Sequence, residues 1–178
     1  MKKINEIIKK LLIVIPKITI YKILFRKELK MSYKHRLNLK TSIFISENSF
    51  VEIRNGLHAK RNVTLHVDGG ILKIGKEVFF NENCKVVAHQ KIKIGDNSTF
   101  GPNVCIYDHD HDFLNGGFIS SDVVIGKNVW VGANVVILRG TVIGDNCVIG
   151  AGCVVKGNYP ENMVVIQKRG EELKLIRK

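Results

Sequence analysis

Residues 107–118 read YDHDHDFLNGGF and hold the densest group of chemistry-bearing side chains in the chain. His109 and His111 are two apart, so on an extended segment they share a face. Asp108, Asp110 and Asp112 alternate with them. An imidazole changes charge near neutral pH and can take a proton from a hydroxyl. A carboxylate beside it orients the ring and raises its basicity. The same histidines with His89 would also imitate a three-histidine zinc site. Spacing alone leaves open which of His111 and His109 would be the base.

The elements that must position this cluster follow a six-residue step. Ile125, Val131, Ile137, Ile143, Ile149 and Val155 recur without a break, and Gly126, Gly132, Gly144 and Gly150 follow four of them. Val129, Val135, Thr141, Cys147 and Cys153 are smaller residues at a fixed offset from these positions. Earlier runs keep the step: Ile74, Phe80, Val86, Ile92, and then Ile94, Phe100, Ile106. A period of six fits neither a helix nor a simple hairpin layout. It predicts short strands joined by tight corners, with the aliphatic residue inward and glycine in the turn conformation. Three such segments make a triangular coil, and stacked coils give a parallel β-helix. The segment between Ile106 and Ile125 lacks the rhythm, so it is expected to leave the prism as a loop.

The chain divides into a basic arm (1–37), a β-helix (38–158) with the site loop at 107–123, and a tail (159–178). Of its 178 residues 45% are hydrophobic, and the net charge is +12. Residues 1–40 carry twelve Lys and Arg against two Glu, whereas the rest holds 16 basic and 14 acidic groups. A basic excess confined to an arm speaks against nucleic acid as partner. Cys84, Cys105, Cys147 and Cys153 form no CxxC pair, so they read as small buried apolar residues in a reducing, cytoplasmic compartment.

Residues 94–111, IGDNSTFGPNVCIYDHDH, and 123–160, VVIGKNVWVGANVVILRGTVIGDNCVIGAGCVVKGNYP, resemble the hexapeptide-repeat acyltransferases. The likeness is strongest to the galactoside, maltose and serine acetyltransferases and to the capsular or cell-surface polysaccharide O-acetyltransferases. It implies an all-β main domain wound as a left-handed parallel β-helix, assembled as a homotrimer. It implies acetyl-CoA as co-substrate, no metal, a carbohydrate acceptor and direct transfer to a sugar hydroxyl. The family motif places the catalytic histidine at His111, with His109 as the alternative. Asn83, Asp108 and Asp110 then fall to the acceptor. Trp130, Ala133, Ala151, Lys156 and Gly157 match positions along the CoA groove, and Lys168 and Arg169 are candidates for the CoA phosphates. Two other classes share the fold: a zinc enzyme like the γ-type carbonic anhydrases, and a silent scaffold.

Ile4, Ile7, Ile8, Leu11, Leu12 and Ile15 recur at helical spacing among lysines, which predicts a basic amphipathic helix. Pro16 is expected to end or kink it, with a second helix over 21–34. The apolar run is too short to span a bilayer. The arm is expected to cap the β-helix, to dock through residues 1–30 on the inner face of the cytoplasmic membrane, or both.

Overall fold

The computed structural model describes residues 10–168. A π-helical turn, Lys10–Val14, runs into an α-helix, Ile15–Leu24, and everything after it is short strands. Three parallel sheets form the sides of a prism. The first holds seven strands, stacked in the order Leu29–Met31, Phe50–Ile53, Ile71–Ile74, Lys91–Ile94, Val123–Ile125, Val142–Ile143 and Asn158–Tyr159. The second runs from Arg36–Leu37 through Phe79–Phe80, Thr99–Phe100 and Trp130–Val131 to Val164–Val165. The third has six strands, from Ser42–Ile45 to Val154–Val155. The ladder thus extends past 38–158 at both ends.

The six-residue step is the core. Ile74, Phe80, Val86, Ile92, Ile94, Phe100 and Ile106 are buried, as are Ile125, Val131, Ile137, Ile143, Ile149 and Val155. The offset residues Val129, Val135, Thr141, Cys147 and Cys153 are buried beside them. The early coils are longer: the register partners Val51, Leu72 and Ile92 lie 21 and 20 residues apart, because two strands of each coil there have four residues. From Val124 to Val142 the spacing is the eighteen of three hexapeptides.

The expected role of glycine needs correction. Among the described residues the left-handed turn position is held by nine asparagines and Glu77, with φ between 52° and 62°, and at three further corners by Gly56, Gly140 and Gly152, none of them a glycine of the six-residue step. Asparagine tolerates this region better than most side chains. Gly75, Gly95, Gly101, Gly126 and Gly132 instead sit where the next coil comes too close for a side chain. A Cβ on Gly95 would lie 2.4 Å from the carbonyl carbon of Gly126. The asparagines also bond to one another from coil to coil. Asn62 donates to Asn83 (3.0 Å), Asn83 to Asn103 (3.1 Å) and Asn103 to Asn134 (2.9 Å). A second ladder runs through Asn97, Asn128, Asn146 and Asn162.

The α-helix closes the open end of the first coil. Val14 and Ile18 are buried, and Tyr21 and Phe25 pack partly buried against the core. Lys17 donates to the carbonyls of Leu39 and Thr41. Pro16 sits in the first turn of this helix, where the π-helical turn gives way to α-helix. No second helix covers 21–34, since the chain enters the first sheet at Leu29. Among the described residues no helix is long and apolar enough to cross a membrane.

His35 is buried in this end coil and accepts the Leu57 amide on Nδ1 at 3.2 Å. Burial holds its pKa down at about 4. The unfolded chain protonates near 6.5, so this stability is full above pH 6.5 and is lost as pH falls toward 4. The loss amounts to about 3 kcal/mol. Urea unfolding across this window is expected to be flatter in His35→Asn, which keeps an acceptor and cannot titrate.

Candidate active site on a hairpin at one corner of the prism

The rhythm breaks at the corner between the third and first sheets. There His109–His111 and Phe118–Ser120 pair antiparallel, with His109 opposite Ser120 and His111 opposite Phe118. The expected loop is therefore a hairpin. Its tip is built by Asp112, whose carboxylate accepts the amides of Leu114 and Asn115 at 3.1 Å each. The side-chain bond from Asn115 leads the causes that lower the Asp112 pKa. Gly116 and Gly117 supply the positive φ that completes the turn.

Asp108 fixes the root of the hairpin. It is fully buried, and its two oxygens accept the amides of His89 and Gln90 at 2.8 Å each. One of those oxygens also lies 3.2 Å from Nδ1 of His109. Asp108 therefore positions His109, and the reading of Asp108 as an acceptor contact is corrected: no surface is left to touch a sugar. Exchanging it for Asn leaves one of two buried amides facing an NH₂ group. Asp108→Asn is expected to cost about 2–3 kcal/mol in chemical unfolding.

The imidazole of His109 is packed, with 11% of the side chain exposed. Its ring centroid lies 4.0 Å from His89 and 5.2 Å from Phe118. His89 also touches Phe118 at 4.3 Å. Burial first, then the neighbouring His109, lowers the His89 pKa, against the raising influence of Asp68 and Asp108. His111 is exposed and rests on Phe118 at 4.9 Å. The strand thus presents one packed and one open imidazole on the same face.

Asp110, between them, points the other way. It meets the Arg139 guanidinium at 2.5 Å, and Lys156 Nζ lies 4.0 Å away. This pairing clamps the hairpin to the two following coils, and the Asp110 side chain stays 40% exposed beside it. The pairing also brings Lys156 and Gly157 to the histidine corner. Arg139 and Phe118 were not singled out in the sequence. Arg139 meets Asp110 and Phe118 meets His89 across 29 residues each, and only coil stacking brings these pairs together. Asn83, read as an acceptor contact, has its amide in the asparagine ladder; its recurrence with Asn62, Asn103 and Asn134 is the signal for that role.

The remaining predicted cofactor positions lie elsewhere. Trp130 is 51% exposed on the outer face of the second sheet, stacked between Thr99 and Val148. Ala133 and Ala151 follow at the next corner in successive coils, where a Cβ on Gly132 would meet Ala151 at 2.6 Å. The third sheet separates this strip from the hairpin within one chain. Lys168 is exposed, and Arg169 lies outside the described residues. Among the described residues no group of three or more His, Cys, Asp or Glu could hold a metal ion.

Fold and repeat together define a parallel β-helix, and within it residues 122–157 match the family described as bacterial transferase hexapeptide (six repeats). The chain is 40% identical over 81 residues to Nodulation protein L of Rhizobium leguminosarum bv. viciae, a match covering 42% of this chain and 43% of that protein. It thus spans less than half the length of this relative. A maltose O-acetyltransferase from Clostridium difficile 630 is 29% identical, with a TM-score of 0.52 over 84% of this chain and 75% of its own. AntD, an N-acyltransferase from Bacillus cereus whose structure holds dTDP and Coenzyme A, shares the fold at a TM-score of 0.66. That match covers 88% of each chain at 17% identity.

Proposed function

We propose that the protein is an acetyl-CoA-dependent O-acetyltransferase acting on a sugar hydroxyl, with His111 as general base. The observation that carries this is an open imidazole on a hairpin held at both faces, by Asp108 and His109 on one and by Asp110 and Arg139 on the other. Both an acceptor hydroxyl and a thioester must reach the base, and the exposed ring of His111 admits them whereas the packed ring of His109 does not. The likeness to a maltose O-acetyltransferase supports the substrate class. A cell-surface or capsular polysaccharide, or its precursor, fits the family resemblance of the hairpin motif.

In the proposed step His111 takes the hydroxyl proton as the oxygen attacks the acetyl carbonyl carbon. The tetrahedral intermediate then collapses, the C–S bond breaks, and the imidazolium returns the proton to the CoA sulfur. No acyl-enzyme is required. Trp130 offers a flat exposed ring, and Ala133 and Ala151 keep the backbone at their corner open, which suits a narrow pantetheine arm. Because this strip and the hairpin occupy different corners, the site is completed by a neighbouring copy, and a homotrimer closes three such grooves.

The test is acetyl-CoA turnover, read as free thiol, with a panel of mono- and oligosaccharides. Acceptor-dependent release is expected, together with a trimer mass by light scattering. Stoichiometric zinc in purified protein with no CoA binding by calorimetry would overturn this reading.

A further inference from the structure

The helix Ile15–Leu24 has two apolar sides, and the fold uses one. Val14 and Ile18 face the core. Leu12, Ile20, Ile23 and Leu24 face solvent at 72%, 55%, 72% and 66% exposure. Ile20, Ile23 and Leu24, three and four apart, share one stripe of the helix with the exposed Pro16, and Leu12 is exposed in the π-helical turn that leads into it. A cap needs a polar outer side, so this stripe is not explained by capping.

Cations border it. Arg26 and Lys27 are exposed, Lys22 lies over the Tyr33 ring at 4.9 Å, and Lys30 meets Glu52 at 3.1 Å. Glu28 is the acidic group at this end of the helix, close to the Lys27 amide. We infer that this stripe docks the protein on an anionic bilayer surface. The aliphatic side chains enter the acyl boundary, and Arg26, Lys27 and Lys22 meet lipid phosphates. Charge decides the occupant. A second copy would bring together two arms that each carry eleven basic and two acidic residues over 1–37, whereas an anionic surface is attracted by them.

The helix closes one end of the prism, so docking is end-on. The hairpin leaves the fourth coil, three coil spacings of ~4.8 Å, or about 15 Å, above the first. This inference stands on the arm alone and does not depend on the acyl-transfer reading.

The test is co-sedimentation of the full chain with phosphatidylglycerol–phosphatidylcholine vesicles and with pure phosphatidylcholine vesicles. Binding to the anionic vesicles that weakens with salt is expected. A variant carrying Ile23→Glu and Leu24→Glu is expected to bind about tenfold more weakly or worse. Arg26→Gln with Lys27→Gln should weaken binding without touching the stripe. Circular dichroism and melting, unchanged because these side chains are exposed, separate lost docking from lost folding. Equal binding to both vesicle types, no binding, or undiminished binding by the Glu variant would overturn the inference. So would a Glu variant that loses a self-association seen in lipid-free wild type, which would make the stripe a contact between copies.

Discussion

Replacing His111 with alanine is expected to lower acceptor-dependent thiol release by about 10²–10⁴-fold, the range for losing a general base. The KM for acetyl-CoA should change little, because the Trp130 strip lies at another corner. The hairpin should persist, since its register rests on backbone pairing and its tip on Asp112. His109→Ala is the informative companion. It removes the ring packed against His89 and Phe118 and takes one of two partners from an Asp108 oxygen that still accepts the His89 amide. A smaller loss, about tenfold, is expected if His109 only positions its neighbour. Were His109→Ala silent in turnover and His111→Ala fully active, no base would reside on this strand. Were the order of the two losses reversed, the base would be His109 with Asp108 as its orienting carboxylate.

The largest effect on stability is expected at Gly95. Its missing side chain is replaced by the backbone of the next coil, with the Gly126 carbonyl carbon and oxygen both 2.4 Å from an ideal Cβ and Lys127 N at 2.7 Å. None of these atoms belongs to a side chain that could swing away. Gly95→Ala must therefore push adjacent coils apart and weaken bonds such as Gly95 N–H to Ile125 O, now 2.8 Å. A loss of about 3 kcal/mol or more is expected, as for severe overpacking, or a fall of roughly 6 °C or more in Tm. Gly117→Ala is the control. Its φ of +77° is strained for alanine, yet nothing lies within 4 Å, so it should cost about 1–2 kcal/mol. If Gly95→Ala melts with wild type, the close approach is not what keeps glycine there.

The sequence carried the prism because burial in a stacked coil repeats with the corner. Each inward position from Ile125 to Val155 is set by the same three-sided geometry, and the step shows it directly. It carried the early coils less well. Four-residue strands such as Ser42–Ile45 and Thr64–Val67 stretch the coil and blur a count of six. The glycine role was misread for a physical reason. A glycine needed for φ and one needed for clearance look alike in sequence, whereas the asparagine that takes the turn, as at Asn97 or Asn128, recurs visibly at the same step. The histidine pair was legible, since alternation on a strand needs only local spacing. Its supports were not. Arg139 reaches Asp110, and His89 reaches His109, through the vertical stacking of coils, and that adjacency depends on how many residues the hairpin removes from the count.

The spacing of the later coils has a consequence for how such a chain can change length. Each coil touches its two neighbours and repeats their asparagine and glycine positions, so its contacts are interchangeable with theirs. Inserting eighteen residues after Val142 adds one storey and lifts the later coils without turning them. Inserting six moves every later residue to a different side of the prism, so that Lys156 would leave the corner it shares with Asp110 altogether. The molecule can therefore be lengthened in whole storeys with every later residue kept on its own side of the prism, whereas growth by any other increment rotates the later coils against the ones that carry the hairpin.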